Sequence, residues 1–242
     1  MRKALLIGAA AAVTATAGCG RSHAEGAGPM VQKNYPVGNF TQVEVAGPFD
    51  VAVHTGAAPS VSAKGNEKLL ERLVVEVKGD KLVIHPESKN GWFHWGGGDS
   101  GKANIAITVP AISGATLAGS GGIVIDSVKG DAFDGSVAGS GDLTLDSVEV
   151  QSLKLVIAGS GDVRAKSGQT ASANYKIMGS GDIDARSVRA QSAEVSIAGS
   201  GSINGQATTA ATVKIMGSGD VTITGGAKCS ISKAGSGNVN CS

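Results

Sequence analysis

The stretch Leu153-Lys154-Leu155-Val156-Ile157-Ala158-Gly159-Ser160-Gly161-Asp162-Val163-Arg164-Ala165 contains the reading that decides the fold. Apolar residues at 153, 155 and 157 alternate with others up to a Gly-Ser-Gly tripeptide. Alternation then resumes at Val163 and Ala165. A period of two marks a strand with one buried face, so this is strand, corner, strand. The corner recurs. Gly-Ser-Gly begins at Gly119, Gly139, Gly159, Gly179, Gly199, Gly217 and Gly235, at intervals of 20, 20, 20, 20, 18 and 18 residues. Ala or Met precedes each copy, and Asp142, Asp162, Asp182 and Asp220 follow four of them.

Aligning the copies puts like residues in columns. Val137, Ile157, Ile177, Ile197 and Ile215 form one, and Leu155, Tyr175, Val195, Val213 and Ile231 another. After the corner come Leu143, Val163, Ile183, Ile203, Val221 and Val239, followed by Leu145, Ala165, Ala185 and Ile223. Polar turns such as Asp146-Ser147-Val148 and Arg186-Ser187-Val188 close each unit. A unit this short cannot bury its apolar side alone but can do so by stacking on its neighbours. The expectation is an all-β chain with a β-solenoid of about seven coils of 18–20 residues over 111–242. At the usual strand spacing its length is on the order of 34 Å. In this alignment Arg164 lies beside Asp184 and Asp146 beside Lys166. Such cross-strand pairs contribute roughly 0.2–1 kcal/mol each.

Composition agrees with a narrow core. The chain has 242 residues, 37 of them glycine, and is only 3% aromatic, with a formal charge of +1. Glycine lacks the strict every-third-residue period of collagen. Near-neutral charge without a basic block argues against a nucleic-acid partner.

The Gly-Ser-Gly-Asp column invites two ligand readings. A phosphate-binding loop needs a following helix, and strand residues follow here. Calcium-binding β-rolls have a nine-residue period rather than twenty. Asp142, Asp162 and Asp182 nevertheless form a ladder of like charges, costing about 0.9 kcal/mol per neighbouring pair before screening. That makes them a weak metal candidate, since Ser202 and Asn238 interrupt the column. The structural reading is that glycine supplies the corner backbone while Ser and Asp satisfy local N–H groups. No metal or other cofactor is expected, and His23, His54, His85 and His94 lack metal-ligand spacing.

At the N-terminus, Arg2 and Lys3 precede an apolar run from Ala4 to Val13 and small residues up to Cys19. This reads as an export signal over 1–18. Thr16-Ala17-Gly18-Cys19 is similar to a lipobox, with Thr16 departing from the usual Leu. Ala15-Thr16-Ala17 instead suits ordinary signal peptidase and a soluble exported chain. Three cysteines are an odd number for an exported protein. Lipid on Cys19 leaves Cys229 and Cys241 to pair, and anchors the chain to a membrane through a tether over 19–38. The expected location is the outer membrane, facing the periplasm or the exterior.

Residues 39–110 lack the corner but keep the alternation, as in Val43-Glu44-Val45, Val51-Ala52-Val53, Val61-Ser62-Ala63, Val75-Glu76-Val77, Leu82-Val83-Ile84 and Ile105-Ala106-Ile107. Asn66 is placed to cap a short helix, and Lys78-Gly79-Asp80-Lys81 to form a tight turn. This half is expected to pack on or cap the first coil. Asn90-Gly91-Trp92-Phe93-His94-Trp95-Gly96 gathers three of the eight aromatics. Trp92, Phe93 and Trp95 either stack on a sugar, membrane or partner surface or fold back onto the solenoid.

Phe40-Thr41-Gln42-Val43-Glu44-Val45, then Gly47-Pro48-Phe49-Asp50-Val51, then Leu82-Val83-Ile84 ahead of the repeats, resembles the putative auto-transporter adhesin, head GIN domain family. The resemblance runs from about Phe40 to Cys241 and implies a β-helical fold in a cell-envelope setting. It brings no catalytic residues with it. The leading expectation is therefore a non-enzymatic envelope protein with an adhesin-like surface. The alternative is a carbohydrate-binding or carbohydrate-active β-helix.

Overall fold

The computed structural model describes residues 29–87 and 103–242. It is 72% strand and 3% helix, so the fold is all-β, and its strands make one 19-stranded sheet. The N-terminal elements are β1 (Met30–Tyr35), β2 (Gln42–Ala46), β3 (Asp50–Thr55), β4 (Ser60–Asn66), α1 (Glu67–Glu71), β5 (Leu73–Lys78), β6 (Lys81–Pro86) and β7 (Asn104–Val109). The repeats form β8 (Gly114–Gly119), β9 (Gly122–Ile125), β10 (Val128–Gly139), β11 (Asp142–Leu145), β12 (Val148–Gly159) and β13 (Val163–Ala165). They continue as β14 (Gly168–Gly179), β15 (Ile183–Gly199), β16 (Ser202–Gly217), β17 (Asp220–Thr224), β18 (Lys228–Ala234) and β19 (Val239–Cys241).

Each coil contributes to three parallel ladders. The first leads into the corner: Val137, Ile157, Ile177, Ile197, Ile215 and Lys233 are in register from coil to coil. A second follows the corner, pairing Leu143 with Val163 and Val163 with Ile183. The third begins after a further bend, pairing Val148 with Val128 and with Gly168. Seven corners bound six intervals, and the solenoid accordingly has about six turns rather than seven.

The shortening from 20 to 18 residues has a local origin. Ala185 faces Gly205, yet Arg189 faces Gln206, so the Arg186-Ser187-Val188 bend has no counterpart in β16. One residue is regained before Ala210, which faces Ser192.

Glycine is required at the corner by geometry. Gly179 has φ +138°, and a Cβ there would overlap the carbonyl oxygen of Gly159 one coil below. No L side chain fits both the backbone angle and that approach. Inside, large residues are matched by small ones. Tyr175 is fully buried, and a Cβ on Gly205 would lie 3.2 Å from its ring. Phe133 likewise sits 3.2 Å from the Cβ position of Gly135.

The N-terminal half continues the same stack. β2 lies parallel between β6 and β8, and β3 parallel between β7 and β9. Gly47-Pro48-Phe49 thus occupies the corner beneath Gly119-Ser120-Gly121, with Gly47 N–H donating to Ala118 O at 2.8 Å. Antiparallel strands then close this end: β5 on β6, β4 on β7 and β1 on β4. Asn66 caps α1 by accepting the Lys68 N–H at 3.0 Å. Gly79, at φ +67°, makes the turn between β5 and β6.

The other end is closed differently. Among the described residues, β18 and β19 have no further strand above them, and Ile231 is half exposed. Lys233 stands in the inward Ile column and donates from Nζ to Gly237 O at 2.8 Å. A charged lysine on the exposed edge strand discourages strand addition. Cys229 and Cys241 form a disulfide across this last coil.

Candidate functional site at the corner columns

The residue after each Gly-Ser-Gly has a backbone N–H that needs an acceptor. Where the coil below carries aspartate, the carboxylate provides it. Asp162 N–H donates to Asp142 Oδ1 at 3.3 Å, Asp182 N–H to Asp162 Oδ1 at 3.1 Å, and Ser202 N–H to Asp182 Oδ1 at 2.8 Å. Asn238 N–H donates to Asp220 Oδ1 at 2.8 Å. Where the coil below carries Gly122 or Ser202, the N–H goes to a backbone carbonyl instead: Asp142 N to Gly121 O and Asp220 N to Gly201 O. From Asp142 upward, acceptor choice follows the side chain one coil down, whereas Gly122 N–H donates to Phe49 O at 3.0 Å although Asp50 lies in register below it. Among the described residues, no group of three His, Cys, Asp or Glu is placed to hold a metal ion.

Other outward charges are tied coil to coil. Lys154 pairs with Asp134 at 2.5 Å, Lys166 with Asp146 at 2.8 Å, Lys129 with Glu149 at 3.3 Å and Lys214 with Glu194 at 3.3 Å. Arg164 does lie in register with Asp184, but Asp184 pairs with Arg186 on its own strand at 2.8 Å.

On the other side of the corner runs an uncharged edge. Ala118, Ala138, Ala158, Met178, Ala198, Met216 and Ala234 form one register column. Met178 is 43% exposed and Met216 67%. The layer below continues it through Ala46, paired with Ala118.

A polar clasp joins the two halves of the chain. Asp126 accepts from the Thr55 N–H and hydroxyl, both at 3.0 Å, and lies 3.3 Å from His54 Nδ1. Partial burial, the largest single influence, pushes this carboxyl up. The hydrogen bonds from the Thr55 hydroxyl and N–H, His54 and the Ser127 backbone together outweigh it, leaving the pKa below its ordinary value.

The putative auto-transporter adhesin, head GIN domain family matches residues 39–227. The chain belongs to this family. No curated protein matches it. The GIN domain fold is shared with the crystal structure of a putative adhesin from Bacteroides fragilis, at 22% identity and a TM-score of 0.76 over 88% of this chain and 97% of that one. A putative lipid binding protein from Parabacteroides distasonis is similar at 26% identity and TM-score 0.71, over 89% and 97%. A putative adhesin from Parabacteroides merdae is similar at 18% identity and TM-score 0.70, over 90% and 98%. The family and these neighbours are described as adhesins or a binding protein rather than enzymes, in keeping with an exported or cell-surface chain.

Within the matched residues, Asp142, Asp162 and Asp182 accept backbone N–H groups, and just beyond them Cys229–Cys241 staples the last coil. Cys19, Trp92, Phe93 and Trp95 lie outside the described residues. β6 ends at Pro86 and β7 starts at Asn104, while in the next layer β2 and β3 are joined by the three residues Gly47-Pro48-Phe49. Two features were not legible beforehand. Asp126 opens a bend like that at Asp146, but its partner Thr55 is 71 residues away. Tyr175 carries a buried hydroxyl without a hydrogen-bond partner among the described residues, and burial raises its pKa.

Proposed function

We propose that this GIN-domain chain is a non-enzymatic rod of the cell envelope, held to the outer membrane by lipid on Cys19. It presents its corner edge, together with the segment carrying Trp92, Phe93 and Trp95, for adhesion or contacts with envelope components. The observation that carries the reading is the uncharged column from Ala118 to Ala234, with Met178 and Met216 exposed. Elsewhere many outward charges are taken up by coil-to-coil pairs and N–H acceptance. A continuous surface of small and apolar side chains suits contact with a partner.

The test is binding of the full chain to a glycan array and to isolated envelope fractions, compared with the Trp92→Ala/Trp95→Ala variant and with Met178→Lys/Met216→Lys. The reading expects binding that at least one of these variants weakens. Binding to neither surface, or binding indifferent to both variants, contradicts it.

A further inference from the structure

A groove of about 390 Å³ runs along the rod where the third ladder bends back toward the first. It crosses four coils. Glu149 and Gln151 come from β12, Gln169 and Ala171 from β14, Arg189 and Gln191 from β15, and Thr208 from β16. Its floor is closed: Val150, Thr170 and Ala190 are buried, and the Thr170 hydroxyl donates to the Gln151 and Ser172 carbonyls. The bend positions 151, 171 and 191 are skipped by the ladder register, which turns their side chains outward.

The lining decides the occupant. Three carboxamides, a carboxylate, a guanidinium and a hydroxyl offer both donors and acceptors over successive coils. The lining carries one charge of each sign, which is wrong for the phosphates of a nucleic acid. It holds no aromatic or long aliphatic anchor of the kind that dominates protein–protein contacts. Its flanking strands are already paired in the parallel ladders, and the bend carbonyls of Gln151 and Ala171 accept side-chain hydroxyls, so no free strand edge is offered to a peptide. Hydroxyl groups are what this set satisfies, and a sugar chain advances per residue about as far as one coil does.

We infer that the groove is a binding site for a neutral polysaccharide strand lying along the rod axis, its hydroxyls held by Gln151, Gln169, Gln191 and Arg189. The site is separate from the corner edge.

Isothermal titration of the purified full chain with cellotetraose, maltotetraose, mannotetraose and chitotetraose tests this, with tetragalacturonate as the acidic comparison. The expected result is saturable binding of a neutral tetraose that Gln151→Ala/Gln191→Ala weakens at least about tenfold. Gln169→Ala, on another coil, weakens it independently. Trp92→Ala/Trp95→Ala leaves this binding unchanged, which separates failure here from failure of the edge reading. No binding of any neutral tetraose, affinity indifferent to the glutamine variants at unchanged melting temperature, or preference for tetragalacturonate overturns the inference.

Discussion

Oδ1 of Asp162 accepts the backbone N–H of Asp182 at 3.1 Å, one coil above it in the stack. The same relation links Asp142 to Asp162 and Asp182 to Ser202. Replacing Asp162 by Ala removes an acceptor from a partly exposed N–H and costs about 1 kcal/mol. Asp162→Asn keeps a side-chain oxygen and costs less. Denaturant unfolding of the three proteins checks the order. A chelator leaves the wild-type transition in place if the column serves the backbone, while a calcium-dependent rise in stability speaks for a metal.

Tyr175 fills the space beside Gly205, but its hydroxyl has no hydrogen-bond partner among the described residues. Burying an unpaired hydroxyl is unfavourable, so Tyr175→Phe keeps the packing and removes a cost. Stability is expected to rise by about 1 kcal/mol. A loss of similar size, measured by thermal unfolding, shows that the hydroxyl has a partner after all.

The Asp126 clasp makes stability depend on pH in a defined direction. Its folded pKa is depressed below the unfolded value of about 3.9. The contribution is therefore present above that value and lost as pH falls through the folded pKa. Asp126→Asn removes this dependence and is expected to destabilise the protein by about 1 kcal/mol at neutral pH, modest because the pair is partly exposed. Unfolding curves of both proteins at pH 7 and below about pH 4 check it: the gap between them narrows in acid.

At the open end, the Cys229–Cys241 bond closes a loop with a sequence separation of 12 residues. In the chain-entropy model this is worth about 3 kcal/mol. Reduction is expected to raise amide exchange in β18 and β19 while leaving β10 to β14 protected, because each coil contacts only its neighbours. Uniform loss of protection along the rod argues against that picture.

The repeat made most of the fold readable. The Leu155–Ile231 and Leu143–Val239 columns were visible because one coil is one period, so sequence spacing equals spatial register. The strands of residues 39–110 were visible too, but not their place in the stack. Gly47-Pro48-Phe49 lies 72 residues before the corner it underlies and shares only one glycine with it in position, so no alternation reveals the match. The coil count came out one high because corners, rather than the intervals between them, were counted. The polar groove was hidden for another reason. Gln151 and Gln191 share one place in the period with Ala171 between them, Gln169 stands two positions earlier in the period, and only the bend of the backbone brings the two columns onto one surface.

Lipid on Cys19 is what we propose tethers the rod to the envelope. The most direct test is radiolabelled palmitate fed to cells producing the wild-type chain and Cys19→Ala. The account predicts label in the wild-type protein, recovered with the membrane fraction, and none in the variant. No label in the wild type, or equal label in both, contradicts it.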